Sequence, residues 1–519
     1  AMNNLQFIKK LYNGKNCYSD SLTKEELELL RITSGVDQIV KKMIYDNKII
    51  FLTGNPGDGK TYIIRTLEEE LLLKNIYIQT DMNEVTEEQL ESVVKHISNC
   101  FHNFKGCIIA ANEFPFFKLI RVVKRIDTAL YDELISVKRH VIMYGYPSID
   151  LHRVCIIDLN ERNLLDKDRS IIKPIIEKFI NLLKESKGLN AALDYNINAL
   201  KNELVIEQLL KLFNLVSMSG EHFAIRDILG TISYMLISSA SDDEMHYYYD
   251  AIFTGDNDLM AALSYFDPIL LSIPSLDEQL WNGEKKDGWL LSVPERWPWE
   301  LTTESVEDAT ALFKSLKRKF YFENIYAKEL SALQPADYTE CVKIFTGIKS
   351  KNEMRRTCSM LVNSMNRLFL STDEEKERLR IWTTHSYDLS REAGAAVSTK
   401  YIDTSDLVLD YPEPITWLKE LEYAPRYLIM KLKDSEDPKL EIDIDLLRSL
   451  IGIKNGYPVS LLSGRYEQAV SQFAQELALT SAARDYGNGE ILIANRRDGS
   501  LNKIVIEENK YRFREGGEY

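Results

Sequence analysis

The sequence predicts an α/β domain built on a parallel sheet with helices on both faces, then a helical segment and a C-terminal α+β region. Three observations carry that prediction. Short apolar runs at 48–53, 76–80, 107–111 and 153–159 alternate with helical periodicity, as strands of a sheet buried on both faces do. Beyond Asn163 the apolar spacing settles near 3.6 residues with almost no strand signal (Ile172, Ile175, Ile176, Phe179, Ile180, Leu182, Leu183). From about residue 400 the pattern turns to short alternating runs separated by turn residues.

Taken in order, 1–44 is a polar-rich helical segment, with a capping-box pattern at Thr23-Lys24-Glu25-Glu26 ahead of Leu27, Leu29 and Leu30. Ala1 ahead of Met2 reads as a residue left by a tag. The α/β core spans 45–163. Lys48-Ile49-Ile50-Phe51-Leu52-Thr53 is its first strand, Lys60 to Leu73 is helical, and Thr86 with two Glu behind it opens a helix to Cys100. Residues 164–265 form a helical layer. The segment 266–400 begins as an irregular connection rich in Pro and Trp (Asp267-Pro268, Ile273-Pro274, Trp297-Pro298-Trp299) and becomes helical from 305 to 380. In 401–519, Tyr427–Leu432 and 440–445 read as paired strands and 465–480 as a helix. Residues 491–495 and 502–506 flank Asp498-Gly499 as a hairpin.

Composition sets bounds. The 519 residues allow two to four domains at about 100–200 residues each, and 45 % apolar with 28 % charged residues exclude wholesale disorder. Lys and Arg number 64 against 79 Asp and Glu, a net charge of −15 that argues against a nucleic-acid coat over the whole surface but leaves room for a local basic groove. Six cysteines (17, 100, 107, 155, 341, 358) form no CxxC pair and seven scattered histidines form no metal signature, so the thiols read as reduced and cytosolic, without structural zinc. No run approaches the roughly 18 apolar residues of a membrane helix, and the start lacks a signal-peptide core. The expectation is a cytoplasmic protein with no membrane partner.

The chemistry concentrates where the first strand meets its helix. Gly54-Asn55-Pro56-Gly57-Asp58-Gly59-Lys60-Thr61 fits G-x-x-x-x-G-K-[ST] in full, the P-loop pattern. Glycines at this spacing let the backbone wrap so that consecutive N–H groups face phosphates, and the helix from Lys60 adds the positive end of its dipole. Lys60 would reach the β- and γ-phosphates of ATP, and the Thr61 hydroxyl would ligate Mg²⁺. Hydrolysis needs an acid at a neighbouring strand end. The second strand runs into Asp81-Met82-Asn83-Glu84. Asp81 reads as the further Mg²⁺ ligand and Glu84 as the carboxylate that orients water, so that Glu84→Gln would trap bound ATP. The alternative is that Asp81 caps a turn and Glu84 begins the next helix. The third strand ends in Ala110-Ala111-Asn112-Glu113, where Asn112 would contact the γ-phosphate or the attacking water, or else form an ordinary turn.

A strand and P-loop, an acidic strand end, a strand ending in Asn and then a helical bundle together resemble the AAA+ and STAND-like ATPases. The resemblance makes Asn112 the sensor 1 position. It makes 164–265 a helical lid, with Arg226 of Gly220-Glu221-His222-Phe223-Ala224-Ile225-Arg226 as the sensor 2 equivalent. Arg121, Arg125, Arg139, Arg153 and Arg162 all qualify as an arginine finger. A narrower resemblance rests on Asp81-x-x-Glu84, Ala110-Ala111-Asn112-Glu113-Phe114-Pro115, Asp158-Leu159-Asn160-Glu161-Arg162 and Phe266-Asp267-Pro268, across about 45–300. These are similar to the ATPase subunit of bacterial phosphorothioation-dependent DNA restriction systems. That implies antiphage defence, with partner subunits, DNA reached directly or through them, and a homo-oligomer in keeping with the class. The modification side of the same machinery stays open, as does a nucleotide-gated signalling scaffold.

Elsewhere the signals are weaker. Glu441, Asp443 and Asp445 alternate as if along one strand face, but no Lys follows at nuclease spacing. His246-Tyr247-Tyr248-Tyr249 would stack bases or pack a helix. Lys314, Lys317, Arg318 and Lys319, and Arg355 with Arg356, would touch phosphates or stand as solvated helix charge.

Overall fold

Three short buried apolar runs and a fourth, half-buried one assemble into one parallel sheet. Strands β1 (Ile49–Thr53), β2 (Tyr77–Gln79), β3 (Cys107–Ala111) and β4 (Val154–Asp158) lie in the order β2-β3-β1-β4, every pair parallel. This computed structural model describes residues 4–12, 22–32, 34–144, 152–166, 171–186, 188–219, 221–238, 245–347, 350–383, 394–410, 421–423, 427–459, 462 and 464–514. Cys17 and Gly220 lie outside them, as do Ala1 and Met2. The chain divides into two compact units, Ala1–Gln334 with Pro414–Ala424, and Pro335–Glu413 with Pro425–Tyr519.

In the first unit, strand alternation sorts side chains onto two cores. Ile49, Phe51, Ile109 and Ile156 meet helices 87–102, 113–126 and 128–144, whereas Ile50, Leu52, Ile108 and Ile157 meet helices 35–45 and 60–66. Parallel neighbours require such crossover helices, so both faces are covered. The predicted Thr23 capping box is present, and Thr86 caps its helix with Gln89 as the reciprocal partner.

The helical layer follows as α1 (Ile172–Leu182), α2 (Ala191–Ala199), α3 (Glu203–Ser217), α4 (Ile225–Ile237), α5 (Tyr248–Thr254) and α6 (Asp258–Ser264). α4 is buried on every side from Ile228 to Ile237, as a central bundle helix is. The expected irregular connection instead contains α7 (Pro274–Asn282) and α8 (Pro298–Leu301). Pro274 and Pro298 sit in the first turn, where a missing N–H costs nothing, so residues read as breakers are helix starts.

The basic cluster belongs to α9 (Val306–Glu323), and its environment differs from the expectation. Arg318 pairs with Asp250 at 3.0 Å and Asp267 at 2.7 Å, and Lys317 with Asp277 at 2.8 Å. Lys319 pairs with fully buried Glu323, which also accepts from the hydroxyls of Tyr195 at 2.6 Å and Tyr248 at 2.8 Å. Only Lys314 of the four is solvated helix charge; the other three tie α9 to the bundle. Tyr248 is likewise packing, with Tyr247 stacked on Tyr249.

The second unit carries the α+β texture. Strands β5 (Arg378–Trp382), β6 (Ala395–Asp403), β10 (Arg484–Asp485), β11 (Ile491–Asn495), β12 (Ser500–Glu507) and β13 (Lys510–Arg514) form one antiparallel sheet. β7 (Leu407–Asp410), β8 (Tyr427–Leu432) and β9 (Lys439–Asp443) form another. The β11–β12 hairpin turns at Gly499 as expected. β9 stops at Asp443, whose carboxylate caps the helix Ile444–Lys454. Asp445 is therefore helical, and the three acids do not share a strand face. Among the described residues no single helix is long and apolar enough to cross a membrane.

Candidate functional site

A tight loop follows β1 and ends at the helix Lys60–Thr66. Gly54, Gly57 and Gly59 adopt φ of +145°, +92° and +86°, a region where a Cβ is strained. A Cβ on Gly57 would also lie 3.2 Å from the Arg226 guanidinium carbon. Gly57→Ala is expected to cost about 1–2 kcal/mol for the backbone alone, read by urea unfolding. An Arg226→Ala background should recover the steric share and leave the backbone share.

The loop is pinned from below. Asp58, only 2 % exposed, accepts the Asn55 N–H through Oδ2 at 2.6 Å, and its Oδ1 lies 2.6 Å from His222 Nε2. Asn160 Oδ1 shares that Asn55 N–H at 3.2 Å. Lys60 folds back over the loop and donates to the carbonyls of Gly54 at 3.0 Å and Asn55 at 2.7 Å. Burial pushes its ammonium pKa down, while Asp58, Asp81 and Asp158 pull it the other way.

The strand order decides what surrounds the loop. β3 lies beside β1 and delivers Asn112, which starts the helix Glu113–Ile126 without spending its amide as a cap. β2, one strand further out, delivers Asp81. One Asp81 oxygen accepts the Asn83 N–H at 2.8 Å, so the turn-cap reading holds, and the residue also lines the cleft beside Thr61. Thr61 Oγ1 donates to the Thr80 carbonyl at 3.4 Å. Asp158 ends β4 in register with Thr53; burial raises its pKa, and Asp58 and Glu113 add to the rise. Arg226, remote in sequence, comes to the loop: it opens α4, and its backbone N–H donates to the Gly57 carbonyl at 3.4 Å.

Asn112, Arg226, Asp81, Thr61, Lys60, Pro56, Gly57 and Gly59 thus line one cleft. Glu84 does not. Its side chain is exposed on the 82–84 turn, and Asn83 faces the cleft instead. Of the arginine candidates, Arg121, Arg125 and Arg139 are exposed on helices, and Arg153 binds the carbonyls of Asn47 and Lys105 where β4 begins, away from the loop. Arg162 lines the cleft, but it is 2 % exposed and ion-paired with Glu422.

Sequence reasoning placed Asp58 in the loop and His222 and Asn160 in nearby motifs without seeing that they support the loop, and it missed a second lobe. Beyond the loop the cleft continues between Leu30, Ile32, Tyr62, Ile171, Ile175 and Leu229, with Ser34 and Asp37 in its wall. The signal available for Asp158 was a buried strand ending in an acid, close to the one used for Asp81, which lies two residues past β2. For Glu422 there was none. Residues 421–423 lie between β7 and β8 in the chain yet pack within the first unit. There Leu421 and Tyr423 enter the core under β1, Glu422 Oε1 accepts the Gly35 N–H at 3.3 Å, and the Tyr423 hydroxyl donates to the Asp158 carbonyl at 2.6 Å. No protein-family model, curated protein or solved structure matches this chain.

Proposed function

We propose that the cleft binds Mg²⁺–ATP through the 54–61 loop and hydrolyses it, as a P-loop ATPase of the AAA+/STAND-like class. Lys60 carries the reading. A buried ammonium rests on the loop's own carbonyls, on a loop that turns through three glycines of positive φ. A triphosphate would exchange those ammonium–carbonyl bonds for bonds between an ammonium and an anionic oxygen, which add the attraction of opposite charges. Mg²⁺, when bound, neutralises charge on the β- and γ-oxygens. The Thr61 hydroxyl and the Asp81 carboxylate are the hard oxygen donors that would hold it. Arg226 offsets developing charge from the α4 side, and Asn112 orients water from the end of β3.

Arg226→Ala is expected to lower turnover by about 10²-fold, with a smaller effect on ATP affinity, because its charge acts where negative charge develops. Steady-state turnover beside equilibrium binding measures the split.

The wider reading is an ATPase subunit of a bacterial, phosphorothioation-linked restriction complex in antiphage defence, coupling turnover to DNA processing by partners. The motif resemblance over 45–300 supports it, and the modification machinery is its alternative. A nucleotide-gated scaffold is favoured by one observation: Glu84 stands in solvent off the cleft, so the water-activating carboxylate assigned to it is not in place. Mg²⁺-dependent turnover by the isolated protein, with and without duplex DNA, separates these readings. Turnover raised by DNA supports the restriction reading. Tight ATP binding with negligible turnover, indifferent to DNA, supports the scaffold.

A further inference from the structure

The helix Glu113–Ile126 starts directly after Asn112 and spends its apolar side, Phe116, Leu119, Ile120, Val122 and Val123, on the core. At about 100° per residue, its other side gathers Phe114, Phe117, Lys118, Arg121, Lys124 and Arg125 into an arc of about 120°. All six are exposed, Phe114 to 69 % and Phe117 to 43 %. The arc carries four cations and no acid, in a chain whose net charge is −15. Arg121 has Lys118, Lys124 and Arg125 three or four residues away, the spacing at which like charges destabilise a helix. Lys124 and Arg125 complement the negative end of the helix dipole, but Lys118 and Arg121 lie outside the last turn, where that effect ends. The nearby acids do little to offset them: exposed Glu87 comes no closer to Lys118 than 3.8 Å, and Glu91, near Arg125, is paired with Lys95 at 2.9 Å. Each exposed ring also has an ammonium against it. Lys118 lies 4.9 Å from the Phe114 ring centre, and Lys138 of the helix Thr128–Tyr144 lies 3.5 Å from that of Phe117. A plain solvated face would mix its signs, and an apolar protein contact would keep charge out of its centre.

We propose that this face binds a single-stranded nucleic acid, with bases stacked on Phe114 and Phe117 and phosphates held by Lys118, Arg121, Lys124 and Arg125. Rings set among cations are what a single strand needs, because every base has a π-face and every linkage a negative charge. A duplex hides its base faces in its own stack and would leave both rings without a role. The phosphates also relieve the repulsion centred on Arg121. A base that settles on either ring displaces the ammonium beside it, which turns to the adjoining phosphate. No base edge is read, so binding is indifferent to sequence. The face does not include the 54–61 loop, and its role is independent of the ATP-binding reading.

The test is fluorescence anisotropy of labelled oligo-dT with the full chain and no ATP added. Log affinity against log salt is expected to fall with a slope of about −3, from about −0.7 for each of four phosphates. Arg121→Gln should make that slope shallower by about 0.7, with thermal unfolding unchanged or slightly raised because the like-charge contacts are gone. Phe114→Ala combined with Phe117→Ala should weaken binding about 10-fold or more and leave the slope as it was, since stacking releases no counterions. A blunt duplex of the same length should bind more weakly than the single strand and ignore the ring variants. Three results overturn the proposal: no binding of oligo-dT, single-strand binding that the ring variants leave unchanged, or displacement of oligo-dT by polyglutamate as readily as by unlabelled oligo-dT. The last would assign the face to an acidic polypeptide. Each leaves the ATP-binding reading standing.

Discussion

Lys60→Ala is expected to abolish ATP binding at micromolar nucleotide. Truncating one partner of a desolvated, hydrogen-bonded charge pair costs about 2–5 kcal/mol, roughly 30- to 5,000-fold in Kd. Lys60 is buried and already desolvated, so its attraction to a triphosphate is little screened by water. Removal also leaves the Gly54 and Asn55 carbonyls without their donor, so some loss would come from the loop relaxing. Lys60→Arg separates the two effects: it keeps the charge but places a planar fork where a compact ammonium sits. Calorimetric titration of ATP into each variant, beside thermal unfolding, is the measurement. Undiminished ATP binding by a folded Lys60→Ala protein would show that phosphates do not sit on this loop.

Glu422→Ala is expected to destabilise the first unit by about 3–5 kcal/mol, the cost of leaving one charge of a buried pair uncompensated. Arg162 is 2 % exposed and Glu422 7 % exposed, and the pair has a long reach in sequence. Arg162→Met with Glu422→Leu should recover most of the loss, since a packed apolar pair often equals a buried ion pair. Denaturant unfolding of the three variants measures it. Because Arg162 and Asp37 line the cleft and Gly35 N–H bonds Glu422, the single variant should also weaken nucleotide binding. Little loss of stability in Glu422→Ala would mean that the 421–423 segment rests on the first unit without holding it.

The four parallel strands, three of them buried, were legible to within a residue or two, because a short apolar run between two polar boundaries fits a covered sheet. The loop was legible for a sharper reason: positive φ at three positions admits glycine and little else. Asn112 stood out in the sequence as a polar residue leaving a buried strand, and Asp81 as an acid just past a short one. Errors followed where one residue type serves two purposes. Proline breaks helices and also begins them, so Pro274 and Pro298 read as loop. Lys317 and Arg318 read as solvated charge because their partners Asp250, Asp267 and Asp277 come from other turns and helices, and Lys319 because the burial of its own helix neighbour Glu323 is set by what packs on α9. Asp445 looked like strand until Asp443 proved to be a helix cap.

Periodicity and residues adjacent in the chain are enough to read the α/β core, the glycine loop and its lysine. Which distant groups meet that loop follows from packing alone. Arg226 and His222 arrive with the helical layer, Glu422 arrives from between two strands of the other unit, and Glu84 is turned out to solvent. Local pattern reports what a backbone segment can do; burial and pairing between segments far apart in sequence are properties of the packed chain.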